Sequence, residues 1–234
     1  MRRWLFYGGV FATCASVMML QVIETRFLSV MSHYYLAFLS ISMAMFGMTA
    51  GAVWVYFQSE RFTRESLPYN LARFASWFSV SIVASLLLQI SHAPVQVASA
   101  TILVLWTELA LILAAPFFFA GVVVSLALTR SYFPVGKVYA ADLIGASLGC
   151  LGVLGLLEVC DAPSALLVVA SIAAIAASLF ARSAGALVPP AGDIAGRVAS
   201  RPVTLALVLC GLAILNASTV HGLQPVLVKD KVDN

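Results

Sequence analysis

Charged residues in this chain stand almost entirely in the gaps between long apolar runs. The runs extend from about Trp4 to Ile23, Tyr34 to Tyr56, Phe74 to Ile90, Val97 to Leu128, Lys137 to Leu157, Pro163 to Phe180 and Pro202 to Val220. Roughly 20 apolar residues are what a helix needs to cross the hydrocarbon of a bilayer. In lipid a backbone must satisfy its own hydrogen bonds, and a run of this length does so as an α-helix. Of the 234 residues 62% are hydrophobic and 10% charged, too little charge to cover a water-soluble domain of this size. The expected fold is an all-α integral membrane protein. A bundle of about seven transmembrane helices occupies residues 1–220, and 221–234 form a short extramembrane tail.

The fourth run needs a decision. At about 1.5 Å per residue it exceeds one crossing but is short for two. Counted once, with a kink at Pro116, it puts Arg2 and Arg3, the connector from Arg61 to Arg73, Arg130 with Lys137, and the loop from Arg182 to Arg201 on one side. The other side receives short neutral turns and the acidic pair Glu158 and Asp161. Counted twice, it scrambles that separation. Lys and Arg collect in cytoplasmic loops, so the reading is a bacterial inner-membrane protein with its N-terminus inside and its C-terminus outside. No A-x-A-like cleavage site follows the first run, which therefore reads as a retained span rather than a signal peptide. The seventh run is the weakest, because Asn216, Ser218 and Thr219 make its end polar.

Two runs carry small residues at helical spacing: Ser40, Ala44, Gly47 and Gly51 in the second, and Ala141, Gly145, Gly149 and Gly152 in the fifth. Helices in lipid associate by close backbone approach, which small residues permit. The fifth run is accordingly expected to be the helix around which the others pack.

Four charged residues are candidates for intramembrane chemistry. Glu108 sits near the middle of the fourth run, where an ionised carboxylate costs on the order of 3 kcal/mol or more. It is read either as a proton or cation site or as a neutral acid bonded for packing. Asp142 lies about one turn inside the fifth span, as an ionic partner for Arg130, Lys137 or, less favourably, Arg26, or simply as a carboxylate near a helix N-terminus. Glu24 and Arg26 close the first span. Two residues apart on a helix, they do not face each other, so each is expected to pair with another helix or to meet the interface.

Other chemistry finds no footing. The four cysteines, Cys14, Cys150, Cys160 and Cys210, have no metal-ligand spacing. His33, His92 and His221 fall on the outer side with Glu158, Cys160 and Asp161, but without a ligand signature, and are expected to be solvated. Phe117, Phe118, Phe119, Tyr34, Tyr35, Tyr56 and Tyr132 read as lipid-facing or interfacial aromatics, and for any that face inward packing is the plainer reading than a hydrophobic cofactor pocket. There is no G-x-G-x-x-G, P-loop, H-E-x-x-H or G-x-S-x-G sequence, so no catalytic residue, metal or cofactor is named. Nor is there the dense basic face that nucleic acid requires.

Two segments resemble a known family. Glu24, Thr25, Arg26, Phe27, Leu28 and Ser29, followed by the glycine-containing second span, resemble the start of bacterial membrane-bound spermidine synthase-like proteins. Pro116 to Gly121, and then Tyr139, Ala140, Ala141, Asp142, Leu143, Ile144, Gly145 through Gly149, resemble the middle of the same membrane domain. The resemblance implies a transporter-like helical bundle joined to a C-terminal aminopropyltransferase-type domain of Rossmann-like fold, which would use decarboxylated S-adenosylmethionine and a polyamine. These residues contain no such nucleotide loop, and Val226 to Lys231 reads as the first strand of a missing domain or as a tail. The leading expectation is a non-catalytic membrane domain or accessory subunit working among lipids and other membrane protein subunits. The alternatives are the membrane anchor of a spermidine synthase-like enzyme, and a small-solute or proton transporter acting through Glu108 and Asp142.

Overall fold

The computed structural model describes residues 2–31, 35–91, 101–183 and 202–218. In them the apolar runs become seven α-helices: α1 (Arg3–Met31), α2 (Tyr35–Phe57), α3 (Leu67–Ser91), α4 (Thr101–Arg130), α5 (Val135–Val159), α6 (Ala162–Ser183) and α7 (Pro202–Ser218). A single 3-10 turn, Ser59–Arg61, sits between α2 and α3. The first six helices are long and apolar enough to cross a membrane. With 17 residues α7 is shorter, about 25 Å. Asn216 near its end donates to Ser164 Oγ in the first turn of α6 at 2.8 Å, so α7 runs antiparallel to α6 and reaches the level of its start.

The fourth run is one helix that continues through Pro116. Contacts between connectors then gather the basic residues at one end of the bundle. Arg130 Nη2 donates to the Ser59 carbonyl at 3.1 Å, and the Arg64 guanidinium lies 5.6 Å from the centre of the Tyr132 ring. The Arg2 amide donates to the Ser183 carbonyl at 2.9 Å. Glu158 and Asp161 stand at the far end, where α5 finishes and α6 begins. Arg64→Cys and Arg130→Cys, each placed in a chain whose four native cysteines are replaced, are therefore expected to react with a membrane-impermeant thiol reagent from the same side. Labelling from opposite sides would break the arrangement.

The centre of the bundle is α1 and α6, not α5. On α6, Ala165, Ala170, Ala173, Ala174, Ala176 and Ala177 are all buried. Side chains this small let α1, α3 and α7 approach from several directions. By contrast α5 meets α1 along one face and leaves Leu143, Ile144, Leu148, Leu151 and Leu154 exposed. Its glycines thin one face only, so it is a flank of the bundle rather than its hub.

The glycines join two parallel helix pairs that are not neighbours in sequence. A Cβ at Gly149 would stand 2.6 Å from the Ala15 carbonyl oxygen, and one at Gly145 would strike the carbonyl of Phe11. On the second pair, a Cβ at Gly47 would stand 2.5 Å from the Ala114 carbonyl oxygen, and one at Gly51 would strike the Phe118 carbonyl. Gly121 on α4 answers from the other side, against the backbone of Met48. Gly152 departs from expectation: a Cβ there meets none of the described residues within 4 Å. The line of contact runs through the buried Val153 instead.

The aromatic residues divide between packing and exposure. Phe117 is buried in the core, and Phe118 packs edge-on against Trp54, which also meets Phe62 and Phe74. Tyr56 and Tyr132 are exposed as expected. The side chains of Tyr34 and Tyr35 lie outside the described residues, as do His33, His92, His221, the 184–201 loop and the 219–234 tail.

Candidate functional site

The site begins with a missing hydrogen. Proline has no backbone N–H, so Pro116 cannot make the helical bond to the carbonyl four residues earlier, that of Ile112. Ser85 on α3 fills the gap, its Oγ donating to the Ile112 carbonyl at 3.1 Å. That donation consumes the only hydrogen on the hydroxyl, which is left to accept. Gln89, one turn further along α3, donates from Nε2 to Ser85 Oγ at 2.9 Å. The same nitrogen donates to Glu24 Oε1 on α1 at 3.1 Å.

A chain of polar groups thus runs from the freed carbonyl on α4, through two side chains of α3, to a carboxyl group on α1. Its three side chains are buried, Glu24 at 1% exposed, Gln89 at 3% and Ser85 at 3%, while the bond to the half-buried Ile112 is partly buried. The direction of each bond is determined, because the serine hydrogen is committed and the glutamine must therefore present its nitrogen. Glu24 Oε2 and Gln89 Oε1 are left buried with no hydrogen-bond partner among the described residues, and so is Ser40 Oγ on α2. Unsatisfied buried polar atoms are uncommon, and each calls for a reason.

Of the sequence candidates, Glu24 is the one the fold encloses. It does not close α1, which continues for two more turns to Met31. Arg26, two positions on, is exposed, in keeping with the separation of i and i+2 on a helix. Glu108 is exposed and lies in the second turn of α4, because the helix starts at Thr101. It therefore stands neither mid-helix nor facing the bundle interior. Asp142 is half-buried, two turns into α5, where it meets the buried Cys14 thiol of α1 rather than a basic residue. Glu108 and Asp142 occupy opposite halves of the bundle and are not brought together. Gly47, Gly51, Gly145 and Gly149 all lie in helix contacts.

Sequence reasoning missed Gln89 and Ser85. The signal was present: a glutamine inside an apolar span, one turn from a serine, and a proline whose lost bond names Ile112 by counting back four. Among the described residues there is no group of three or more His, Cys, Asp or Glu able to hold a metal ion. No protein-family model, curated protein or solved structure matches the chain.

Proposed function

We propose that this chain is a multi-pass protein of the bacterial cytoplasmic membrane. Its helices, α7 included, make seven crossings with the basic end inside, and it serves as the membrane domain or accessory subunit of a larger membrane assembly. The position of α5 carries the reading. One face of that helix closes on α1 through Gly145 and Gly149, while the opposite face is an exposed apolar ridge. Gly152 and Gly155 stand open, with none of the described residues within 4 Å of a Cβ at either. A glycine in a helix costs about 1 kcal/mol against alanine. A lipid-facing position gains nothing in return, whereas close approach of a second helix does. The basic end faces the cytoplasm by the charge rule for short loops.

The test separates the two glycine classes. Gly152→Leu is expected to leave the yield and thermal stability of the isolated chain unchanged while abolishing co-migration with its partner subunit on native gels after extraction in mild detergent. Unchanged co-migration of the variant would sink the proposal.

A further inference from the structure

The orphaned oxygens at the end of the Pro116-to-Glu24 chain ask for hydrogens, not for more acceptors. Glu24 receives one neutral amide hydrogen at Oε1 and nothing at Oε2 from the described residues. Among the described residues, the elements packed around it supply no cation. From α3 come the neutral Gln89 and Ser85, and α2 brings Ser40 at a similar depth from the same end. The charged described residues at this end are Arg26 on α1, Glu108 on α4, and Glu158 and Asp161 around the α5–α6 turn, and all four are exposed. α5 runs parallel to α1 with Gly145 opposite Phe11 and Gly149 opposite Ala15, which brings Glu158 level with Glu24 but on an exposed position. A buried carboxylate with one neutral donor and no counter-ion among the described residues is a costly species, and such groups take up a proton instead.

We propose that Glu24 is a reversible proton-binding site. In the closed bundle the carboxyl is held as the acid, its C=O at Oε1 accepting from Gln89 and its proton carried on Oε2. Release of that proton leaves an uncompensated negative charge between α1 and α3, which favours their separation at this end and the entry of water. The site thus couples proton occupancy to the closure of three helices. Ser85 and Gln89 are positioning residues: the hydrogen owed to Ile112 orients the serine, the serine orients the amide, and the amide orients the acid.

The experiment is infrared spectroscopy of the full chain in phosphatidylethanolamine–phosphatidylglycerol vesicles, between about pH 5 and about pH 9, a range in which buried carboxyl groups titrate. The wild type is expected to show the C=O stretch of a protonated carboxyl that is absent from Glu24→Gln and that falls reversibly as the pH is raised. Identical spectra for the two proteins at every pH would overturn the proposal. A band that does not respond to pH would make Glu24 a fixed hydrogen-bonding acid, and would equally overturn it. So would a band lost on adding sodium at constant pH, which would make the ligand a metal cation. Gln89→Met supplies a second readout that retains Glu24: the band is expected at higher frequency, because the C=O loses its donor. An unmoved band would show that the amide does not hold the acid.

Discussion

Gly149→Leu will split α5 from α1, and the loss of stability will be at or above the upper end of what over-packing usually causes. A Cβ at this position stands 2.6 Å from the Ala15 carbonyl oxygen and 2.9 Å from the Ala15 Cα. Both are backbone atoms of a central helix, so no side chain can rotate out of the way. The extra methylenes of leucine must therefore be accommodated by moving one helix off the other. Over-packing a core costs about 1–3 kcal/mol where neighbours can adjust. Here they cannot, and the displaced helix also uncovers Val138 and Val153, both fully buried at present. The Asp142–Cys14 contact lies on the same face and goes with it. Size-exclusion profiles of a fluorescent fusion, heated in mild detergent, are expected to show a transition well below that of the wild type. Gly152→Leu, three residues away on the same helix, is the internal control and should melt with the wild type. If the two variants melt together, α5 is not held by the contact described.

That pair of glycines also marks where reading the sequence succeeds and where it stops. The spacing of Gly145 and Gly149 announces a face without side chains, and helices in lipid use such faces. The stripe does not say which of its members lie on the line of contact, which runs through Gly145, Gly149 and the buried Val153, while at Gly152 a Cβ has none of the described residues within 4 Å. Nor does a stripe say how many neighbours a helix has. The organising role expected of α5 belongs to α1 and α6, where alanines rather than glycines admit several partners. Depth was legible only as far as helix ends were. Glu24 and Arg26 looked like the close of α1 because charge usually ends a span, yet α1 continues to Met31 and encloses the glutamate. Glu108 looked central in the apolar run from Val97 to Leu128, whereas in α4 as described, Thr101–Arg130, it is exposed and near the start. Relative placement of the connectors fared better. Charge separation alone put the α2–α3 and α4–α5 connectors together, and the Arg130–Ser59 and Arg64–Tyr132 contacts do the same. The Asp142–Cys14 and Glu24–Gln89 contacts required the register of one helix against another, which no single helix encodes.

The second large effect is expected at Ser85, and its signature is a dependence on residue 116. Ser85→Ala removes the donor to the Ile112 carbonyl and one of the two acceptors of Gln89 Nε2. Interhelical hydrogen bonds in membrane proteins average only about 0.6 kcal/mol when both partners can find others. This carbonyl has no alternative, because the N–H that serves it in an ordinary helix is missing at Pro116. A buried group stripped of its partner costs about 1–3 kcal/mol, and that is the loss expected for Ser85→Ala. Pro116→Ala restores the helical N–H to Ile112, so in its background Ser85→Ala should be much milder. A double-mutant cycle measured by reversible unfolding in mixed detergent is then expected to give a coupling of about 1 kcal/mol or more, within the range found for residues that share a partner. Additive effects would mean that the Ile112 carbonyl does not join the two sites. The infrared band of Glu24 offers an independent view of the same cycle. If the serine sets the orientation of the amide, Ser85→Ala alone should broaden that band by freeing Gln89 to rotate. Pro116→Ala in the same chain should leave the broadening in place, because it repairs the carbonyl but not the glutamine's acceptor.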